Sequence, residues 1–391
     1  MKRLGRGMTA VLAVAVTCML LEHRFTVYAA EKPQKSKMTI TVRSSRNATS
    51  FSRLEIDSPN IAKALIHAKK ENDYYPPYLT DIDVALLQGE HEQHYRLERS
   101  GNLWDEPAMT SLLLPAAVAG RLLSYAEGLR HTHYGKLTRW DEARNIITRK
   151  SIFSVTDLES GLTFKVQRRA GSAHADVQPL TKEDSKIMKS IYNGRWSWKR
   201  KAIVVQSGHG RLAASMNGMP HGGDGIPGNG FSGHFCIHFL GSTTHRSDVP
   251  DPVHQMMVYK ASGNLRAYFD SAAPEVLAES FIEAMYQQDP DMLRQVSEGA
   301  PREKLAYFLQ EMESLKSIRI HVQRTKLKAK KAKHLASEER LSAEIKLPVF
   351  IQKKGKPFER SSVYSFFFRR EFPQSPWRIE DVQFRYSSFK P

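Results

Sequence analysis

Residues 219–238 read MPHGGDGIPGNGFSGHFCIH and gather one thiol, Cys236, with three imidazoles, His221, His234 and His238. A thiol attacks only as thiolate, and a neighbouring imidazole is the usual means of forming one at neutral pH. The glycine-rich run between His221 and Cys236 can bend back on itself, so the two side chains can meet. The competing reading of Cys236 is a small buried apolar residue between Phe235 and Ile237. A rival chemistry needs a metal: His174 and Asp176 present two ligands at strand spacing, and His221, His234 or His238 would complete a zinc set for a hydrolase.

The elements that must position these residues lie in a β-rich unit over 151–270. Val155 opens one apolar run, and Leu162, Phe164 and Val166 alternate with Thr163, Lys165 and Gln167, with Gly161 in the turn between them. That pattern predicts a β-hairpin. Thr181 followed by Asp184 predicts a capped helix. Strands are expected over 201–206 and 212–216, then the cysteine stretch, then a strand or short helix over 253–259.

Residues 31–73 are polar and read as a flexible linker, and the Pro76-Pro77 pair inside YYPPY marks a boundary. Residues 111–130 carry Leu114, Val118, Leu122, Tyr125 and Leu129 at helical spacing, and 139–147 a second helix, so 74–150 is expected to be a helical subdomain. Beyond 271, helices over 273–286 and 302–315 precede four apolar strand patterns. Helices first and an antiparallel sheet after is the plan of the cone-shaped α+β domains of the nuclear-transport-factor type. The basic run 326–333 reads as a hairpin tip or as a contact for an anionic surface. Trp196 and Trp198 stand before a strand, where they pack on a sheet or stack on sugar rings.

Composition frames the setting. The chain has 391 residues, a net charge of +17 and two cysteines, Cys18 and Cys236. Lys2, Arg3 and Arg6, an apolar stretch over 8–21, and Ala29-Ala30 make residues 1–30 an expected signal peptide. Export leaves one thiol, so no internal disulfide, and a lone thiol in an oxidising compartment is a liability unless buried or used. A basic exported protein is expected to meet anionic wall polymers or a membrane surface rather than nucleic acid.

The cysteine stretch resembles the active-site motif of the L,D-transpeptidases, secreted cysteine enzymes that cross-link or trim peptidoglycan. His221-Gly222 takes the place of that family's early His-Gly pair, and His234-Phe235-Cys236-Ile237 that of its His-Gly-Cys-aliphatic segment. Gly233 and Ser232, Phe235 and His238 replace a Ser/Thr, a glycine and an Arg/Asn. The resemblance implies a central mostly-β sandwich and a thioester on Cys236. It makes His221 the base and His234 the orienting residue, and puts the oxyanion hole and substrate loop around Gly222, Ser232, Gly233, Phe235 and His238. Phe235 would narrow the entrance. No cofactor is implied.

The expected molecule is therefore mixed and multidomain: signal peptide, linker, helical subdomain over 74–150, transpeptidase-like sandwich over 151–270 and α+β cone over 271–391. Its expected work is cysteine acyl transfer on peptidoglycan stem peptides outside the cytoplasm. The alternatives are the zinc hydrolase with His174, Asp176 and His221, and a non-catalytic wall-binding protein on a degenerate fold.

Overall fold

A computed structural model describes residues 36–72, 79–208, 210–223, 225–244, 247–321 and 339–386. The expected signal peptide with Cys18, the YYPPY boundary, His209, His245 and the basic run 326–333 lie outside the described residues.

The described residues open with a sheet where a linker was expected. Strands β1 (Ser36–Val42), β2 (Ser52–Ile56), β3 (Lys69–Asn72), β4 (Leu79–Gln88), β5 (His91–Glu98), β6 (Leu103–Asp105) and β7 (Thr110–Leu113) form one antiparallel sheet in the order β2-β1-β4-β5-β6-β7-β3. Helix α1 (Pro59–Ile66) lies between β2 and β3. In β1, Met38, Ile40 and Val42 are buried while Lys37, Thr39 and Thr41 alternate with them. This period of two is the mark of a strand with one wet face. The linker reading failed because the outward lysines and threonines give the segment a polar average.

The helical-subdomain reading is also corrected. Residues 111–113 pair in β7, and only then do α2 (Ala116–His133) and α3 (Trp140–Ile146) follow. Leu122 and Ala126 of α2 bury on the N-terminal sheet's core, whereas Tyr125, expected on that stripe, is exposed.

The central unit is built from β8 (Ile152–Asp157), β9 (Thr163–Ala170), β10 (Ala175–Pro179), β11 (Lys201–Ser207), β12 (Gly210–Met216) and β13 (Phe235–His238). The predicted hairpin is β8–β9, and the capping box of Thr181 and Asp184 starts α4 (Lys182–Ile191) as expected. The strands do not split into a two-sheet sandwich. They close into one barrel in the order β10-β13-β12-β11-β8-β9, with β9 pairing β10. Phe153, Val155, Phe164, Val177, Ile203, Val205, Phe235 and Ile237 fill it. A short hairpin, β14 (Thr243–Thr244) and β15 (Ser247–Pro250), follows β13.

Helix α5 (Pro252–Ala261) resolves the strand-or-helix ambiguity at 253–259; Asp251 caps it by accepting from Val253 and His254. It lies between two cores. Met256, Met257 and Ala261 join the core of the N-terminal sheet, and His254 faces the barrel. Helices α6 (Leu265–Ser271), α7 (Pro274–Gln287), α8 (Pro290–Val296) and α9 (Arg302–Ser314) then pack on a four-stranded antiparallel sheet, β16 (Leu315–Ile320), β17 (Ser342–Lys353), β18 (Arg360–Arg369) and β19 (Arg378–Tyr386). The expected order, helices and then sheet, holds. Its core, with Phe281, Phe308, Tyr364 and Phe366, is continuous with that of the N-terminal sheet. The protein is thus mixed α/β and mostly sheet. Among the described residues no helix is long and apolar enough to cross a membrane.

Candidate active site

Strand register brings the chemistry together. Successive side chains of a strand face opposite ways. Phe235 and Ile237 enter the barrel, so Cys236 and His238 face outward, His238 against His254 of α5. Asp176 is the cross-strand partner of Cys236, and Ser215 that of His238. One outer face of the barrel therefore carries a ladder of polar and nucleophilic groups. Phe235 does not narrow the entrance: its ring sits in the core beside Phe231 and Phe164, and the period of two puts it there.

His221 reaches the thiol from the loop. Its backbone pairs with His234 in both directions, N–H to carbonyl, at 2.9 and 2.8 Å. Two glycines allow this crossing. Gly222 (φ +73°) and Gly233 (φ +94°) adopt left-handed backbone, and a Cβ would lie 2.3 Å from the His234 ring and 2.4 Å from the His221 carbonyl oxygen, respectively. Ser232 of the same loop is exposed. The N–H of His234, inside the loop expected to hold the oxyanion, is already taken by the His221 carbonyl.

The ring geometry assigns the tautomer. His221 Nδ1 lies 2.8 Å from the Met219 carbonyl oxygen, which only accepts, so Nδ1 carries the proton. Nε2 then turns its lone pair toward Cys236 Sγ at 3.3 Å. Trp198, half exposed, tilts over His221 with centroids 5.2 Å apart. Trp196 packs edge-on against Phe231.

Behind the thiol, Asp176 Oδ1 lies 3.1 Å from His174 Nε2, 3.7 Å from His234 Nε2 and 3.9 Å from Cys236 Sγ. His174 Nδ1 donates to the Thr243 carbonyl at 2.8 Å. His238 is not a loop residue. It is 2% exposed and stacks between His174 and His254, at centroid distances of 4.5 and 3.8 Å. His254 Nδ1 meets Ser215 Oγ at 2.9 Å. Burial first, and then neighbouring charge, hold His238 and His254 well below the usual histidine range.

Burial and, after it, the Asp176 carboxylate push the Cys236 thiol well above its ordinary range. Both effects favour the neutral thiol over the thiolate. Asn217, just beyond β12, lies near enough to the thiol to oppose the shift. It is buried and its Oδ1 has no hydrogen-bond partner. Sequence reasoning passed over Asn217; its place at the end of a strand, four positions before His221, was the available signal.

Two groups of metal-capable donors share Cys236: His174 with His238, and His221 with His234. Of the expected zinc set, His174 falls in one group, His221 in the other and Asp176 in neither. A concavity of about 770 Å³ lies elsewhere, on the N-terminal sheet, where Arg43 and Arg46 are paired with Asp83 and Glu106. Compared with known proteins, the chain matches no family model and no curated protein.

Proposed function

We propose that the protein is an exported cysteine acyltransferase of the L,D-transpeptidase or L,D-carboxypeptidase type, acting on peptidoglycan stem peptides. One observation carries the reading. An imidazole with its Nδ1 proton committed to a carbonyl aims Nε2 at the single described cysteine from 3.3 Å. That is a nucleophile, its base and an orienting group in one line. The closed barrel is then a divergent form of that family's catalytic domain, and the C-terminal unit a cone of the nuclear-transport-factor type.

In this mechanism Nε2 takes the thiol proton as Sγ attacks the donor carbonyl. The tetrahedral oxyanion is held by the Asn217 side-chain amide, already at the sulfur. Collapse breaks the C–N bond, and the leaving amine takes the proton back from His221. A thioester remains. A second amine makes a cross-link, and water makes a carboxylate. Asp176 and His234 hold the loop and the strand in register. The net charge of +17 favours a location among anionic wall polymers or at a membrane surface.

The test is intact-mass analysis of the purified protein incubated with a stem tetrapeptide. The expected outcome is an adduct of the acyl fragment on Cys236, absent in Cys236→Ala. Peptidoglycan turnover that survives Cys236→Ala would sink the reading.

A further inference from the structure

The thiol, its base and the residues behind it have the donor types and spacing of a site for a soft divalent cation. With Zn–S of about 2.3 Å and Zn–N or Zn–O of about 2.0–2.2 Å, neighbouring donors of one tetrahedron stand about 3.3–3.6 Å apart. Cys236 Sγ is 3.3 Å from His221 Nε2 and 3.9 Å from Asp176 Oδ1, which is 3.7 Å from His234 Nε2. One ring nitrogen each of His221 and His234 lies with Sγ inside a 4.8 Å span. Small side-chain shifts would close these three donors on one ion; Asp176 lies outside that span and joins them by a larger movement.

Two further observations point the same way. A metal-binding histidine donates its other N–H to an outer acceptor, commonly a backbone carbonyl. His221 Nδ1 already does so to Met219. A carboxylate beside the thiol opposes a free thiolate by like charge, but two anions beside a dication neutralise it. The alternative group around Cys236 fails on geometry. The rings of His174 and His238 are stacked 4.5 Å apart and only 14° from parallel, so their in-plane lone pairs do not converge on one ion. The rings of His221 and His234 meet at 60°.

We infer that Cys236, His221, His234 and Asp176 form a binding site for a thiophilic divalent cation, of which Zn²⁺ is the type. The thiol proton leaves as the metal–sulfur bond forms. Occupancy holds both the nucleophile and its base, so the cation is a reversible off-switch for acyl transfer. That consequence rests on the proposed function, while the site itself does not.

The experiment titrates the metal-stripped, full-length protein with Co²⁺, reading the thiolate-to-cobalt charge-transfer band, and then displaces it with Zn²⁺. Thioester formation by the metal-free protein is measured in parallel. The expected result is one Co²⁺ per chain, no band in Cys236→Ala, and affinity at least about tenfold weaker in both His234→Ala and the near-isosteric Asp176→Asn. Far-ultraviolet dichroism confirms that each variant is folded. No band in the parent protein, or unchanged affinity in folded Asp176→Asn and His234→Ala, would overturn the cation site and leave acyl transfer standing. A Cys236-dependent band without thioester in the metal-free protein supports the site and removes its role as an off-switch.

Discussion

At the scale of single residues, the proposed mechanism separates the group that reacts from the groups that make reaction possible. Cys236 has the His221 imidazole 3.3 Å away, yet burial and Asp176 favour the protonated thiol. On the proposed mechanism the transition state must gain what the ground state lacks, and Asn217 is the residue assigned to supply it. Removing one preorganised oxyanion donor lowers turnover by about 10²–10³-fold. Asn217→Ala is expected to lower the rate of thioester formation by that order, with little change in the donor concentration for half-maximal rate. Single-turnover mass kinetics check this. An unchanged rate would place the oxyanion elsewhere. The residue-level expectations for His238 and Phe235 failed for one physical reason: on a strand, neighbours in sequence are on opposite faces, and only His238 shares the face of Cys236.

At the scale of elements, the segment between α4 and β11 ties the site to the helices beyond it. Trp198 covers His221, the Lys199 ammonium donates to the Tyr286 carbonyl at 3.0 Å, and Arg200 pairs with Asp251 at 2.7 Å. Glu283 of α7 belongs to this region, and Gln287 donates to it at 2.6 Å. Burial outweighs the nearby cations and raises its carboxyl to about 7 from an ordinary 4.5. The folded state thus holds this proton more tightly than the unfolded chain. A raised carboxyl pKa destabilises the fold progressively as pH rises from 4.5, and the loss is complete above about 7. One unit is 1.36 kcal/mol, so the full loss is about 3 kcal/mol at most. Glu283→Gln is expected to raise the melting temperature at pH 8 and leave it nearly unchanged at pH 4. An equal gain at both values would mean that packing, not charge, is responsible.

At the scale of the whole molecule, two cores organise the described chain, and the order of segments along it does not match them. The barrel has its own interior. The N-terminal sheet, α2, α5 and the C-terminal helices and sheet share the other. The join is also polar: Arg46 N–H donates to Asp291 Oδ2 at 2.5 Å, and Thr49 and Ser50 donate to the Glu159 carbonyl at 2.9 and 3.0 Å. A shared core unfolds as a unit. Amides of β1 and of β18 are therefore expected to converge on a common opening free energy in native-state hydrogen exchange under rising denaturant. If β1 exchanges through a separate opening several kcal/mol lower, the N-terminal sheet is an independent unit.

Local physics made part of this protein legible from its residues alone. The β8–β9 hairpin follows from side-chain alternation and Gly161, α4 from the Thr181–Asp184 capping box, and the meeting of His221 with Cys236 from glycines that let the loop turn back. Each depends on residues close together in the chain. Tertiary structure decided what depends on pairing across distance. Barrel closure came from β9 meeting β10, and β13 set against β10 put Asp176 opposite Cys236. The same folding brought Asn217 to the thiol and buried three histidines in one stack. A hydrogen-bond register between strands is a property of two segments at once. No periodicity within either one records it, and a shift of one residue would have turned Cys236 into the core and Phe235 toward the site.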